Sequence, residues 1–204
     1  MHVSDIIQII MLGWALGSIP FGVVLAKIFH LPDPRYIGSG NIGATNMLRT
    51  GNKKVAALTL LLDAGKGAVA VLITYHLFTD TPPAMQALAL LASAMGHMYS
   101  PWLKFKGGKG VATILGAALA FAWPLGMAFA FIWLLVVFIT SIVSLGSIIA
   151  LAIMPLVAWL RIDGPSAIIV ALAAAFAIWK HRSNIGRLRH GFEPKLNFGK
   201  GQKS

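Results

Sequence analysis

Lys104 to Gly110 reads Lys-Phe-Lys-Gly-Gly-Lys-Gly, three ammonium groups and three glycines in seven residues, set between two long apolar stretches. Glycine, having no Cβ, lets successive backbone N–H groups converge on a phosphate-sized anion, and lysines add point charge. A solvated turn that only fixes membrane topology has the same composition. Two other polar stretches carry comparable chemistry. The first, His30 to about Lys54, contains Gly38-Ser39-Gly40-Asn41-Ile42-Gly43-Ala44-Thr45-Asn46 and then Arg49, whose guanidinium can fork onto phosphate oxygens. The second follows Trp179 and opens Lys180-His181-Arg182-Ser183-Asn184. His181 is the imidazole suited to take a hydroxyl proton, its ordinary pKa being about 6.5; the basic neighbours Lys180 and Arg182 should push that value down.

These stretches must be positioned by a membrane scaffold. The chain has 204 residues, 57 % hydrophobic and 11 % charged, against about 25 % charged in soluble domains. Seventeen Lys plus Arg against six Asp plus Glu give a formal charge of +11. In so apolar a chain the excess points to anionic lipid heads, phosphorylated substrates and topology, with no nucleic acid as partner. No cysteine is present, which removes disulfides, thiolate nucleophiles and thiolate metal sites. The first apolar segment opens with Asp5 in place of a basic n-region and reads as a retained helix.

A first crossing spans Ile6 to about Phe29, with Gly13, Gly17, Ser18 and Gly22 as a small-residue stripe and Pro20 bending it or loosening its ladder. A second, Val55 to about Phe78, carries Asp63 and Lys66 three apart on one face and paired. The loop holding Asp80, Pro82 and Pro83 has no Lys or Arg, and a third crossing runs from about Ala84 to Tyr99. Between Val111 and Leu160 no charged residue occurs, a length of about 75 Å if helical, far beyond one bilayer core of about 30 Å. Two crossings there would put the basic tail on the wrong side, so three short ones are expected, turning near Trp123-Pro124 and between Ser144 and Gly146. The last crossing is Ser166 to Trp179. The expected fold is an all-α integral membrane protein, one polytopic domain over residues 1–204, of seven transmembrane helices (five as the fallback), N-terminus outside and C-terminus cytoplasmic. That parity gathers all three basic stretches on the cytoplasmic side.

Absences narrow the reaction. There is no Gly-x-Ser-x-Gly elbow, no P-loop, no His-Glu-x-x-His and no run of aspartates for paired Mg²⁺. The only acids expected on the cytoplasmic side outside the spans are Asp33 and Glu193, so a His-x-x-x-x-Asp dyad is missing as well. Metal and cofactor chemistry are not expected. Substrates already activated and anionic fit this residue set. A phosphate transporter would need charges through the midplane of several helices, and only Asp63 and Lys66 lie deep.

The full motif set, Gly17-Ser18-Ile19-Pro20, Gly38 to Asn46, Asp63-Ala64-Gly65-Lys66-Gly67, Gly96-His97, Lys104 to Thr113, and His181-Arg182-Ser183-Asn184-Ile185 with Glu193, closely resembles the bacterial acyl-phosphate-dependent glycerol-3-phosphate acyltransferase family over essentially the whole chain. The resemblance implies transfer of a fatty acyl group from acyl phosphate to the 1-hydroxyl of glycerol 3-phosphate, giving lysophosphatidic acid and phosphate, the first acylation of phospholipid synthesis. It implies a multi-pass protein of the bacterial cytoplasmic (inner) membrane with its active site on the cytoplasmic side. Its partners would be acyl phosphate, glycerol 3-phosphate, membrane lipids and a soluble enzyme handing over acyl phosphate. Ser39, Arg49, Lys109, His181 and Asn184 match positions regarded as active-site residues in the family.

Residue by residue, Lys109 is the lysine expected to neutralise the leaving phosphate. Ser39 has no neighbouring base and reads as a donor to phosphate in preference to a nucleophile. The proton of the glycerol hydroxyl goes either to His181 or to an oxygen of acyl phosphate itself. Arg49, Gly107, Gly108, Gly110 and Arg182 complete the expected substrate contacts, and Asn41 and Asn46 either donate to substrate oxygens or cap their own loop. Lys104 and Lys106 bind substrate or face lipid heads. His97 is either a substrate contact or a packed helix-end histidine, and Lys66 either a substrate contact or only the partner of Asp63.

Overall fold

The structure, a computed structural model, describes residues 2–78 and 81–196. The expected loop acid Asp80 and the tail residues Lys200 and Lys203 lie outside them. The described residues contain helices and turns and no strand: α1 (Val3–Gly17), α2 (Phe21–Ile28), α3 (Ala44–Met47), α4 (Lys53–Leu77), α5 (Pro83–Met98), α6 (Val111–Phe121), α7 (Trp123–Thr140), α8 (Val143–Arg161), α9 (Gly164–Lys180) and α10 (Arg182–Arg189). Four segments are long and apolar enough to cross a bilayer: Val3–Ile28, α4, α7 and α8; α9 with α10, bent by 60°, makes a fifth if counted as one. Helices α5, α6 and α9, at 16, 11 and 17 residues, are apolar but shorter.

The first span is broken, not continuous from Ile6 to Phe29. Pro20 has no N–H to continue the ladder and disfavours helix at Ile19. Carbonyls freed inside a membrane need donors, and this chain supplies them from elsewhere. The Ser100 hydroxyl donates to Ser18 O at 2.6 Å and the Lys66 ammonium to Ile19 O at 2.7 Å, while Trp102 Nε1 donates to Ser18 Oγ at 3.1 Å. The glycine stripe explains why α1 lies so close to α5: Gly17 faces the backbone of Ser93, and Gly96 faces the backbone of Trp14 and Ser18. Their register makes the two helices run in the same direction, so the break sits beside the segment that follows α5.

The α6–α7 turn falls at Ala122, with Pro124 in the first turn of α7, as expected. The α7–α8 turn falls at Ser141–Ile142, not between Ser144 and Gly146. Ser141 takes the left-handed conformation (φ 59°) and its N–H closes on Val137 O at 2.7 Å. Ser144 and Gly146 are inside α8, where Gly146 admits Trp133 and Val137 of α7. A glycine that permits helix contact looks, in sequence, like a glycine that permits a turn. Ile9, Leu90, Met98, Ile114, Leu125 and Leu151 form the buried core, and Phe131, Leu134, Phe138 and Trp159 face outward, as apolar side chains against lipid do.

Candidate functional site

The glycine loop folds back on the end of α5. Lys104 and Phe105 adopt left-handed backbone (φ 51° and 61°). Gly107 N–H then donates to Met98 O at 3.2 Å and Gly108 N–H to His97 O at 3.1 Å. A Cβ on Gly108 would collide with the His97 ring, and one on Gly107 with its carbonyl. These two amides are therefore spent on α5 and do not converge on an anion. What the fold-back accomplishes is to present Lys109, immediately before Gly110, the N-cap of α6.

Lys109 meets the tail. Its ammonium donates to Asn184 Oδ1, and Asn184 Nδ2 donates to Glu193 Oε1. Ser144 Oγ donates to the same carboxyl oxygen at 2.7 Å, and Arg187 Nε to Oε2 at 2.7 Å. Asn184 and Arg187 share one face of α10 by their i, i+3 spacing. The segment bearing Glu193 is laid against the α7–α8 turn, Leu196 N–H donating to Ser141 O at 2.7 Å. Burial lowers Lys109 to a pKa of about 8, the Glu193 charge opposing and Arg187 adding to the shift. Burial works to raise the Glu193 pKa, but donation from Ser144, Asn184 and Arg187 outweighs it and holds the carboxyl below its ordinary value.

His181 lies just past the end of α9 and is buried. Its Nδ1 is 2.8 Å from Ala177 O. A carbonyl only accepts, so Nδ1 carries the proton and Nε2 keeps the lone pair. Burial, and then the Lys109 ammonium, push its pKa down to about 4, in the expected direction. Beside it, Lys180 donates to Met98 O at 3.0 Å and lies over the Tyr99 ring at 4.8 Å. The ends of α5 and α9 are thereby joined. Arg182 is exposed and stacks over Trp179 at 5.4 Å.

The first loop is organised by Asn46. Its Oδ1 accepts the Ser39 N–H at 3.0 Å and its Nδ2 donates to Pro34 O, Ile37 O and Asn41 O at 2.7, 3.2 and 2.8 Å. Asn46 is buried and its amide is engaged within the loop, the loop-capping alternative of the two expected for it. Asn41 enters this network through its carbonyl. Arg49 lies across Gly38, which has φ 52° and no room for a Cβ; Ser39, Arg49, Lys104 and Lys106 are exposed. No hydrogen bond among the described residues joins this loop to Lys109 or to the tail; it is tied to the same end through α2, which starts at the break, and through Ile42 O packed on Gly22. Lys66 and His97 lie in the interior, 2.9 Å apart and beside Asp63. The Asp63–Lys66 pair was legible; its histidine was not.

Sequence reasoning also missed the Ser144, Arg187 and Glu193 part of the site. A signal existed: Glu193 is the only glutamate in the chain, and it stands in a basic tail. Among the described residues no group of His, Asp and Glu is arranged to hold a metal ion.

Known proteins resemble this chain in sequence and fold. The family model described as glycerol-3-phosphate acyltransferase matches residues 7–191. Proteins named glycerol-3-phosphate acyltransferase from Roseobacter denitrificans and Agrobacterium fabrum are 50 % and 47 % identical, over 91 % of this chain and 91 % and 89 % of theirs. The crystal structure of PlsY (YgiH), an integral membrane glycerol 3-phosphate acyltransferase, in its glycerol 3-phosphate form, is 36 % identical with a TM-score of 0.87, covering 94 % of this chain and 96 % of that one. Its lysophosphatidic acid form aligns at 34 % identity and a TM-score of 0.85, over 94 % and 95 % of the two chains.

Proposed function

This chain belongs to the glycerol-3-phosphate acyltransferase family, and we propose that it moves a fatty acyl group from acyl phosphate to the 1-hydroxyl of glycerol 3-phosphate. It is a multi-pass membrane acyltransferase whose relatives act on glycerol 3-phosphate and, in one crystal form, hold lysophosphatidic acid. The observation that supports this reading is the Lys109–Asn184–Glu193 chain, which joins two basic segments at one corner. Lys109 and the unspent N–H groups of the first turn of α6 take the phosphate of acyl phosphate. Arg49, with the Ser39 hydroxyl, takes the phosphate of glycerol 3-phosphate. The 1-hydroxyl adds to the acyl carbonyl, the bond from that carbon to the phosphate oxygen breaks, and Lys109 offsets the charge that gathers on the departing phosphate.

The hydroxyl proton leaves on phosphate. With a pKa of about 4, neutral His181 is too weak a base near pH 7, whereas phosphate monoester oxygens titrate at about 6. His181 Nε2 accepts the hydroxyl hydrogen bond and aims it. Lys104, Lys106 and Arg182 draw anions to the surface. The helices α1–α2, α4, α5, α6, α7, α8 and α9 make seven crossings of the cytoplasmic membrane, with the N-terminus outside and the loops and tail in the cytoplasm, where a soluble enzyme delivers acyl phosphate.

Purified protein given palmitoyl phosphate and labelled glycerol 3-phosphate, without metal or coenzyme A, is expected to form labelled lysophosphatidic acid. Product from palmitoyl coenzyme A alone would overturn the donor assignment, and no product from either would overturn acyl transfer.

A further inference from the structure

We propose that Asp63, Lys66 and His97 are positioning residues for this transfer: a buried unit, out of reach of substrate, that fixes the glycine loop and hence Lys109 relative to the rest of the bundle. All three are sealed, 1 %, 5 % and 4 % exposed. The Lys66 ammonium is 2.7 Å from Ile19 O, 2.9 Å from His97 Nδ1 and 2.8 Å from Asp63 Oδ1, the last an ion pair whose angle lies outside hydrogen-bond geometry. Two of its three N–H donors are spent on Ile19 O and His97 Nδ1, and the ammonium is sealed among these groups, closed to a ligand. An ammonium has only donors, so His97 Nδ1 accepts and the neutral ring carries its proton on Nε2. That edge of the ring lies against Gly108, where only a glycine fits.

The unit touches the foundations of all three basic segments. Through Ile19 O it holds the break that leads into α2 and the first loop. Through the His97 ring and carbonyl it holds Gly108, and Met98 next to it holds Gly107. Met98 O also receives Lys180, the residue before His181. Two opposite charges and a neutral imidazole compensate one another, so the unit tolerates burial as a set; removing one member strands a charge. The interior therefore supplies position, and the loop supplies the charge that meets the anion.

The inference rests on the acyltransferase reading for its kinetic arm only. Asp63→Asn/Lys66→Met removes both charges together, and Gly108→Ala displaces the His97 ring with the ion pair intact, so a folding failure of either leaves the other. In full-length protein, amide exchange at Gly107 and Gly108 is expected to rise about tenfold in each variant while α7 is unchanged. Turnover should fall about tenfold with KM for glycerol 3-phosphate within twofold, and the same substitutions should cost less than about twofold once Lys109 is already alanine. Unchanged loop exchange, or a loss equally large in the Lys109→Ala background, overturns the proposal. Failure of the acyltransferase reading shows separately, as wild-type protein that makes no product while the exchange result stands.

Discussion

Two polar clusters lie on either side of the glycine loop, and they dispose of their charge in opposite ways. Around Lys109, two cations (Lys109, Arg187) face one anion (Glu193), and the Arg187 side chain is 40 % exposed. Around Lys66, one cation faces one anion, with both side chains 2 % exposed. The first cluster has a positive charge to spare and reaches the surface at Arg187. The second does neither. On the proposed reaction this difference separates residues that would meet substrate from residues that would hold them, although both clusters contain a lysine and a histidine close by.

The largest expected effect comes from the uncompensated side. Lys109→Ala should lower turnover by about a hundred- to a thousandfold, as loss of one donor to a developing oxyanion does; steady-state kinetics with acyl phosphate check it. Arg49→Ala should act on binding, raising KM for glycerol 3-phosphate about ten- to a hundredfold with a smaller change in kcat. A large kcat effect with unchanged KM would instead move Arg49 to the chemical step.

Lys109 must be charged to receive an anion and its pKa is about 8, so kcat/KM should fall as pH rises through about 8. Removing the Glu193 charge as Glu193→Gln takes away the group that raises Lys109, so this limb should move to lower pH. Turnover should also drop about tenfold because Asn184 loses a charged acceptor. Glu193 has a lowered pKa in the folded protein. The stability it contributes is present above the ordinary glutamate value of about 4.5 and is lost as pH falls through the lowered one. Glu193→Gln should therefore narrow the difference in thermal stability between pH 7 and pH 3. The smallest effects belong to Lys104→Ala and Lys106→Ala, which should change kcat/KM less than about twofold and lose even that at high salt.

Much of this was written in local sequence. The all-helical build with its long apolar segments, the break at Pro20 and the Asp63–Lys66 pair all depend on spacing along the chain. What was not legible depends on contacts between distant segments. Nothing near Gly107 and Gly108 says that their amides are taken by the end of α5. Nothing near Ser144 or Glu193 says that a helix start and a tail 49 residues apart share a hydrogen bond. The misplaced α7–α8 turn has the same origin, since Gly146 answers to Trp133 and Val137 on another helix. Asn46 could be read as a ligand group because an asparagine in a glycine-rich loop is the same residue whether its amide serves a substrate or its own loop.

Labelled lysophosphatidic acid formed from palmitoyl phosphate and glycerol 3-phosphate by wild-type, Lys106→Ala and Lys109→Ala protein, measured side by side, tests the account most directly. Wild type and Lys106→Ala should match within about twofold, while Lys109→Ala makes almost none. Product at the wild-type rate from Lys109→Ala, with Lys106→Ala inactive, would contradict it.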